Sequence, residues 1–164
     1  MTAIFSGAEV AGLLRDCGIT HVVTVPDSTL GQWEPDIEAI GIRLIRVCRE
    51  GEAWALAAGL YLGGARPLVM IQCTGLFESG DSLRNVLHDW QLPIPSIIGY
   101  RSYLNQETLP GDTCLVFTEP TLRAWQIDYC LVTEPAHFTL MADHLRASLA
   151  QDKPGAVLVA EGKA

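Results

Sequence analysis

The sequence predicts an α/β protein with three layers, α/β/α, in which a mostly parallel, doubly wound sheet lies between two layers of helices. Apolar segments rich in β-branched residues alternate with segments of helical periodicity along the whole chain. No hairpin turn joins consecutive strands, and strands that are apolar on both faces are typical of a parallel sheet covered on both sides. The 164 residues suffice for one such domain, so a single domain over residues 1–164 is expected.

Local signals place each element in turn. Ser6 is a good N-cap for a first helix, which Gly18 ends. Further helices are predicted at about 30–40, 50–61, 79–90, 118–129 and 138–149, and strands at 21–25, 42–48, 67–73, 93–100, 130–133 and 155–160. An interior strand is predicted for residues 42–48. Residues 101–116 are predicted to form a long exposed loop, and such loops are often functional or covered by a neighbouring chain.

Composition narrows the possible partners. Only 11 Lys and Arg oppose 19 Asp and Glu, and this net charge of -8 argues against general affinity for nucleic acid or an anionic membrane surface. Five widely spaced cysteines without metal-site spacing indicate core residues in a reducing compartment. No signal sequence or spanning segment is apparent, so a soluble cytoplasmic protein with protein and small-molecule partners is expected.

Three segments of unusual composition follow predicted strands, namely residues 26–29, 49–50 and 74–81. Right-handed crossovers bring the carboxyl ends of parallel strands to one edge, so these segments are expected to line one cleft. Glu50 is the most informative residue, because it lies where a buried strand becomes an apolar helix. The alternative is that Glu50 and Glu52 only complement the helix dipole. Of the four histidines, His88 is the one to test as a base.

Five segments, in this order, resemble the pyrimidine-binding (PYR) domain of thiamine-diphosphate-dependent decarboxylases, within the sulfopyruvate and phosphonopyruvate decarboxylase type. The resemblance covers about the whole chain. The matching segments are Gly18-Ile-Thr-His-Val-Val-Thr-Val-Pro-Asp-Ser28, Arg49-Glu-Gly-Glu-Ala53 continuing to Tyr61, Gln72-Cys-Thr-Gly-Leu76, Ile94-Pro-Ser-Ile-Ile-Gly-Tyr-Arg101 and Pro154-Gly-Ala-Val-Leu-Val159.

The resemblance implies a role for each matched residue. The carboxyl group of Glu50 would hydrogen-bond N1′ of the cofactor's aminopyrimidine ring and stabilise its imino tautomer, which activates the cofactor for decarboxylation of a 2-oxo acid. The cofactor-binding set would be Pro26, Glu50, Thr74, Gly75, Leu76 and Phe77, and the substrate set would be Asp27, Ser28, His88 and Arg101.

The resemblance also implies that part of the active site lies on another chain. The family's Gly-Asp-Gly motif with a downstream Asn, which holds Mg²⁺ and the diphosphate, does not occur in this sequence. A separate β chain in an α2β2 or larger assembly is therefore expected to supply it. Phe77-Glu78 replaces the Gly-Asn of the sulfopyruvate and phosphonopyruvate enzymes, and Asp81-Ser82 replaces their Asn-Pro. These departures leave the substrate open between a 2-oxo acid with a second acid group and a less charged one.

Other functions remain open at this stage. A carboligase or synthase subunit would use the same cofactor, and this half of the enzyme does not distinguish it from a decarboxylase. A non-catalytic α/β partner module would have little use for a carboxylate at position 50. A flavodoxin-like binding domain is disfavoured because no phosphate-binding loop follows the first strand. Dinucleotide, P-loop and G-x-S-x-G motifs are likewise missing from the sequence.

Overall fold

The computed structural model describes residues 3–162, so residues 1, 2, 163 and 164 of the predicted domain lie outside the described range. All pairings in its six-stranded sheet are parallel, and the strand order is β2-β1-β3-β4-β6-β5. The strands are β1 (His21–Thr24), β2 (Arg43–Arg46), β3 (Pro67–Gln72), β4 (Ser96–Tyr100), β5 (Asp128–Val132) and β6 (Gly155–Ala160).

Within residues 3–162, six α-helices cover the two faces of the sheet. They are α1 (Gly7–Asp16), α2 (Glu34–Ala39), α3 (Glu50–Leu62), α4 (Cys73–Arg84), α5 (Thr113–Ala124) and α6 (Phe138–Ala150). One core contains Leu14 and Met141 of α1 and α6, and the other contains Trp54, Leu76 and Leu122 of α3, α4 and α5. The predicted three-layer, doubly wound α/β fold is confirmed.

The start of α1 shows how local sequence sets an element. Ser6 forms a capping box, in which its hydroxyl oxygen accepts from the Glu9 amide at 3.3 Å and its own amide donates to the Glu9 carboxylate at 3.0 Å. Gly18 follows the helix with a φ of 72°, a conformation that favours glycine. Both predicted boundaries of this helix are confirmed.

Several predicted local features are wrong. Residues 74–81 are not a loop but the first turns of α4, which begins directly after β3. Residues 101–116 are not all loop, since α5 already begins at Thr113, with the Asp112 side chain accepting from the Cys114 amide at 2.9 Å. The strand within 42–48 is not interior, because β2 is a partly exposed edge strand.

Four of the five cysteines are buried, as the sequence predicts, but Cys48 is exposed. Burial raises the pKa of the Cys73, Cys114 and Cys130 thiols, which keeps them protonated and unreactive. Among the helices within residues 3–162, none combines the length and the apolar character needed to cross a membrane.

The order of the strands determines where a ligand would bind. After β1 the chain moves to β2 at one edge and then returns to form β3 on the other side of β1. The carboxyl ends of β1 and β3 therefore flank a topological switch point, the position at which open α/β sheets bind ligands. Asp27 follows β1, and Gln72 ends β3.

Candidate functional site

Glu50 lies at the carboxyl edge of the sheet, as predicted. It is the first residue of α3 and is half-buried, with Arg49 in extended conformation before it. Gly75, in the first turn of α4, lies directly against its side chain. A Cβ added at Gly75 would lie 2.5 Å from Glu50 Oε1 and 2.6 Å from Glu50 Cδ, distances that real atoms do not tolerate. The carboxyl group of Glu50 thus occupies a space that only a glycine at position 75 leaves open.

A second carboxylate, Glu78, holds the two helices together beside Glu50. Its Oε1 accepts from Arg49 Nε at 2.9 Å, and its Oε2 accepts from the Gly51 amide at 2.8 Å. The Gly51 hydrogen bond and the Arg49 guanidinium lower the pKa of Glu78, so it is a stable carboxylate. Because Arg49 forms its ion pair with Glu78, the Glu50 carboxyl group has no charged partner within residues 3–162.

These features fit the aminopyrimidine ring of thiamine diphosphate. The ring needs a carboxyl group that is not committed to another partner and that is held at a defined position. The close contact with Gly75 restricts the Glu50 side chain, and the α3 N-terminus favours a negative charge there. Thr74 and Phe77 are exposed in the same turn of α4, whereas Leu76 is buried in the core, so only its backbone is available to a ligand.

A separate group of polar side chains lies at the ends of β1, β3, β4 and β6. The Gln72 amide nitrogen donates to Asp27 Oδ2 at 3.0 Å and to Glu161 Oε2 at 3.3 Å. The other oxygen of Asp27 accepts from the Thr29 and Leu30 amides at 2.8 and 2.7 Å. A cavity of about 370 Å³ is lined by Pro26, Asp27, Ser28, Thr29, Gln72, Arg101, Glu161 and Gly162.

Glu161 is the unexpected member of this group. It follows β6 directly, and only 2% of its surface is exposed. Its Oε1 is buried without a hydrogen-bond partner among the described residues, and a Cβ added at Gly99 would lie 2.8 Å from its Cδ. Burial, followed by the nearby charge of Asp27, raises the pKa of Glu161 to about 7, although Gln72 and Arg101 act in the opposite direction. Glu161 can therefore hold or release a proton near neutral pH.

The cavity and the Glu50 site are neighbours. The Thr74 hydroxyl donates to Gln72 Oε1 at 3.2 Å, and Thr74 directly precedes Gly75, which contacts Glu50. Gln72 thus contributes to the cavity, while the turn that follows it contributes to the Glu50 site. The predicted residues Pro26, Asp27, Ser28 and Arg101 are brought together around the cavity, and Glu50, Thr74, Gly75 and Phe77 lie beside it.

His88 does not join this site, which corrects its proposed role in substrate binding. It lies 15 residues beyond Cys73, the start of α4, so the helical path carries it about 20 Å from the carboxyl edge. There its ring stacks on Trp125, with the ring centroids 6.1 Å apart. Trp125 lies between α5 and β5, at the amino edge of the sheet.

The sequence analysis missed Glu161 and the bridging role of Gln72. One signal for Glu161 was available, because a carboxylate that directly follows the fully buried strand β6 meets the same criterion that singled out Glu50. Its neighbours could not be found in this way. The order of β4, β6 and β5 in the sheet, which brings Glu161 beside Gly99, does not follow the order along the chain.

Comparison with known proteins supports the resemblance read from the motifs. The chain is 26% identical over 151 residues to the sulfopyruvate decarboxylase subunit alpha of Methanococcus maripaludis, and the match covers 89% of each protein. It is 29% identical over 168 residues to a phosphonopyruvate decarboxylase of Streptomyces viridochromogenes, which covers 97% of this chain but 41% of that protein. No family model matches the chain.

A solved structure shows the same fold. The benzoylformate decarboxylase of Polynucleobacter necessarius superposes with a TM-score of 0.72 at 20% sequence identity, over 98% of this chain and 30% of that one. At this level of identity the match concerns the fold alone. In sequence, the chain thus resembles the sulfopyruvate and phosphonopyruvate decarboxylases, and the Methanococcus maripaludis alpha subunit over most of its length.

Proposed function

We propose that this chain is the α subunit of a two-chain thiamine-diphosphate-dependent decarboxylase that acts on a small 2-oxo acid. The observation that carries the proposal is the contact between Glu50 and Gly75, which holds an uncommitted carboxyl group at the carboxyl edge of the sheet. The similarity to decarboxylase subunits supports the choice of cofactor and reaction class. On this proposal residues 1–164 form one PYR domain.

The residues of this chain bind and orient the cofactor. Glu50 would hydrogen-bond the N1′ atom of the aminopyrimidine ring and share its carboxyl proton with that atom. Gly75 leaves room for this carboxyl group, and Arg49 with Glu78 keeps the N-termini of α3 and α4 together. Pro26, Thr74 and Phe77 are exposed at the same edge, where they would border the ring. When bound, thiamine diphosphate supplies the electron sink for cleavage of the carbon–carbon bond.

A separate β chain completes the site in this proposal, with Mg²⁺ and the diphosphate held by that chain and an α2β2 or larger assembly. Its support includes the name "subunit alpha" carried by the Methanococcus maripaludis relative. An apolar groove of about 390 Å³ runs between α3 and the segment after α4. Leu62 and Trp90 line this groove and are each 61% exposed, a surface that suits a protein partner.

The structure bears on the substrate through Glu78. An unpaired carboxylate at this position would repel a second acid group on the substrate, but the charge of Glu78 is balanced by Arg49 and by the Gly51 amide. Both a dianionic and a less charged 2-oxo acid therefore remain compatible with the proposal. The five free cysteines are consistent with a location in the reducing cytoplasm.

The test is co-expression with the β chain and measurement of carbon dioxide release from a panel of 2-oxo acids, including sulfopyruvate and phosphonopyruvate. Glu50→Gln should lower turnover by at least about 100-fold, because the amide cannot share a proton with the ring. The activated aminopyrimidine ring removes the C2 proton of the cofactor's thiazolium ring. The exchange of this proton with deuterated solvent, followed by NMR, should therefore slow in the variant as well.

Glu52→Gln is the matched control. Glu52 lies in the same first turn of α3 and is exposed, so its loss should leave both measurements near the wild-type values. The proposal is wrong if Glu50→Gln exchanges the cofactor proton as fast as the wild-type complex. It is also wrong if the wild-type complex releases no carbon dioxide from any 2-oxo acid.

A further inference from the structure

The cavity at the ends of β1, β3, β4 and β6 contains a buried acid for which the proposed role of Glu50 has no use. Glu161 is 2% exposed, contributes to the cavity lining, and has one carboxyl oxygen without a partner among the described residues. A buried carboxyl oxygen without a hydrogen bond is costly, so such groups often mark functional sites. The adjoining Glu50 site makes this cavity a suitable place for the substrate.

The proposed reaction requires a proton donor. In the overall conversion, R–CO–COO⁻ and H⁺ give R–CHO and CO₂. The bond to the carboxylate carbon breaks, its electron pair stays with the former carbonyl carbon, and that carbon takes up one proton. Glu50 is committed to the aminopyrimidine ring, so another group has to deliver this proton to the substrate-derived carbon.

Within residues 3–162, the ionisable residues that line the cavity are Asp27, Arg101 and Glu161. Asp27 accepts three hydrogen bonds, two from backbone amides and one from Gln72, so both of its carboxyl oxygens already have partners. Arg101 contributes a positive charge to the lining, and a guanidinium is too weak an acid to serve as the donor. The Glu161 carboxyl group accepts one hydrogen bond, from Gln72, and is otherwise buried against Gly99. Of the two carboxyl groups that line the cavity, it is the one with an oxygen that has no hydrogen-bond partner among the described residues, and this oxygen is available to carry a proton.

We propose, on the basis of the proposed function, that the cavity binds the reacting end of the 2-oxo acid and that Glu161 delivers the proton which replaces the departing carboxylate. Gln72 holds Glu161 in place and separates it from Asp27. Arg101 provides a positive charge beside the leaving carboxylate.

The groups that face Glu161 determine its pH response. The negative charge of Asp27, after β1, favours the protonated form of Glu161, whereas the positive charge of Arg101, after β4, favours the carboxylate. Cys73, at the start of α4, also interacts with Glu161, but burial keeps this thiol neutral. Burial, followed by the charge of Asp27, outweighs the opposing effects of Gln72 and Arg101 and raises the pKa of Glu161 to about 7. The acid can therefore be protonated again from solvent between turnovers.

The test uses the complex of this chain with its β chain and compares wild type with Glu161→Gln. The amide can still accept from Gln72 but cannot deliver a proton. Aldehyde formation should fall at least about 100-fold, the range expected when a general acid is removed. Exchange of the cofactor's thiazolium proton should stay within about twofold of wild type, because Glu50 is unchanged. With an added acceptor aldehyde, the ratio of 2-hydroxy ketone to aldehyde product should rise.

A second measurement uses only the wild-type complex and does not depend on folding of the variant. Its infrared spectrum should contain a carboxylic acid band that disappears as the pH is raised through about 7. The inference is overturned if this band is missing, or if Glu161→Gln forms aldehyde at the wild-type rate. An equal loss of proton exchange and aldehyde formation would also overturn it, because Glu161 would then act through cofactor binding or the fold.

The outcomes separate this inference from the proposed function. If Glu50→Gln stops proton exchange while Glu161→Gln forms aldehyde normally, the proposed function stands and only the role of Glu161 is wrong. Unchanged proton exchange in Glu50→Gln would refute both the proposed function and the role of Glu161.

Discussion

Glu161→Gln should gain stability relative to the wild-type chain as the pH rises. Burial and Asp27 raise the pKa of this carboxyl from its usual 4.5 to about 7. Below pH 4.5 the group is protonated in both the folded and the unfolded chain, so it has no effect on the pH dependence. As the pH rises toward 7 the unfolded chain loses this proton first, and the folded state becomes less favourable.

The magnitude follows from the two pKa values. A separation from 4.5 to about 7 corresponds, at about 1.4 kcal/mol per pH unit, to about 3 kcal/mol of stability lost by the wild-type chain across this range. A glutamine side chain cannot ionise, so the variant loses none of this stability. Between pH 5 and pH 8, the stability of Glu161→Gln relative to wild type should therefore rise by about 2 to 3 kcal/mol.

The assay is urea unfolding of the full-length chain, followed by tryptophan fluorescence, since Trp33 and Trp54 are buried. The free energy of unfolding is extrapolated to zero urea at each pH, and the difference between variant and wild type is compared. Glu52→Gln, which changes an exposed carboxylate, should show little change in this difference. A difference for Glu161→Gln that is the same at pH 5 and pH 8 would refute the reasoning.

The remaining predictions concern the contacts around Glu50. Gly75→Ala should sharply lower decarboxylation in the complex, because the added Cβ would displace the Glu50 carboxyl group, and kinetics with circular dichroism will separate this loss from unfolding. Gly80→Ala, in the same helix but with nothing within 4 Å, should instead stabilise the chain by up to about 1 kcal/mol in urea unfolding. Arg49→Ala should cost at most about 1 kcal/mol, because the arginine paired with Glu78 is largely exposed, and added salt should reduce that cost in the same assay.

The sequence is most informative where local pattern and tertiary structure agree. The predicted strand at 155–160 coincides with β6, and Glu50 begins α3 as expected. A continuous apolar segment between a Pro-Gly pair and a charged residue favours a buried strand. The same holds for the Ser6 capping box, whose two hydrogen bonds are made within four residues.

The sequence is least informative where a residue serves a distant neighbour. Residues 73–75 have poor helix propensity, so local sequence predicts a loop where α4 begins. The glycine at position 75 is required by the Glu50 side chain rather than by a turn. The edge position of β2 and the place of β6 between β4 and β5 depend on pairing across the sheet. Glu161 meets Gln72 and Asp27 only because of that pairing.

The close approach of Gly99 and Glu161 has a consequence for how this protein can diverge. The two residues compete for one volume, so a side chain at position 99 and a long acid at position 161 are mutually exclusive. Substitutions at the two positions should therefore occur as pairs in homologous chains, with a smaller residue replacing the acid wherever the glycine is lost. Such chains would need another source of acid at this edge.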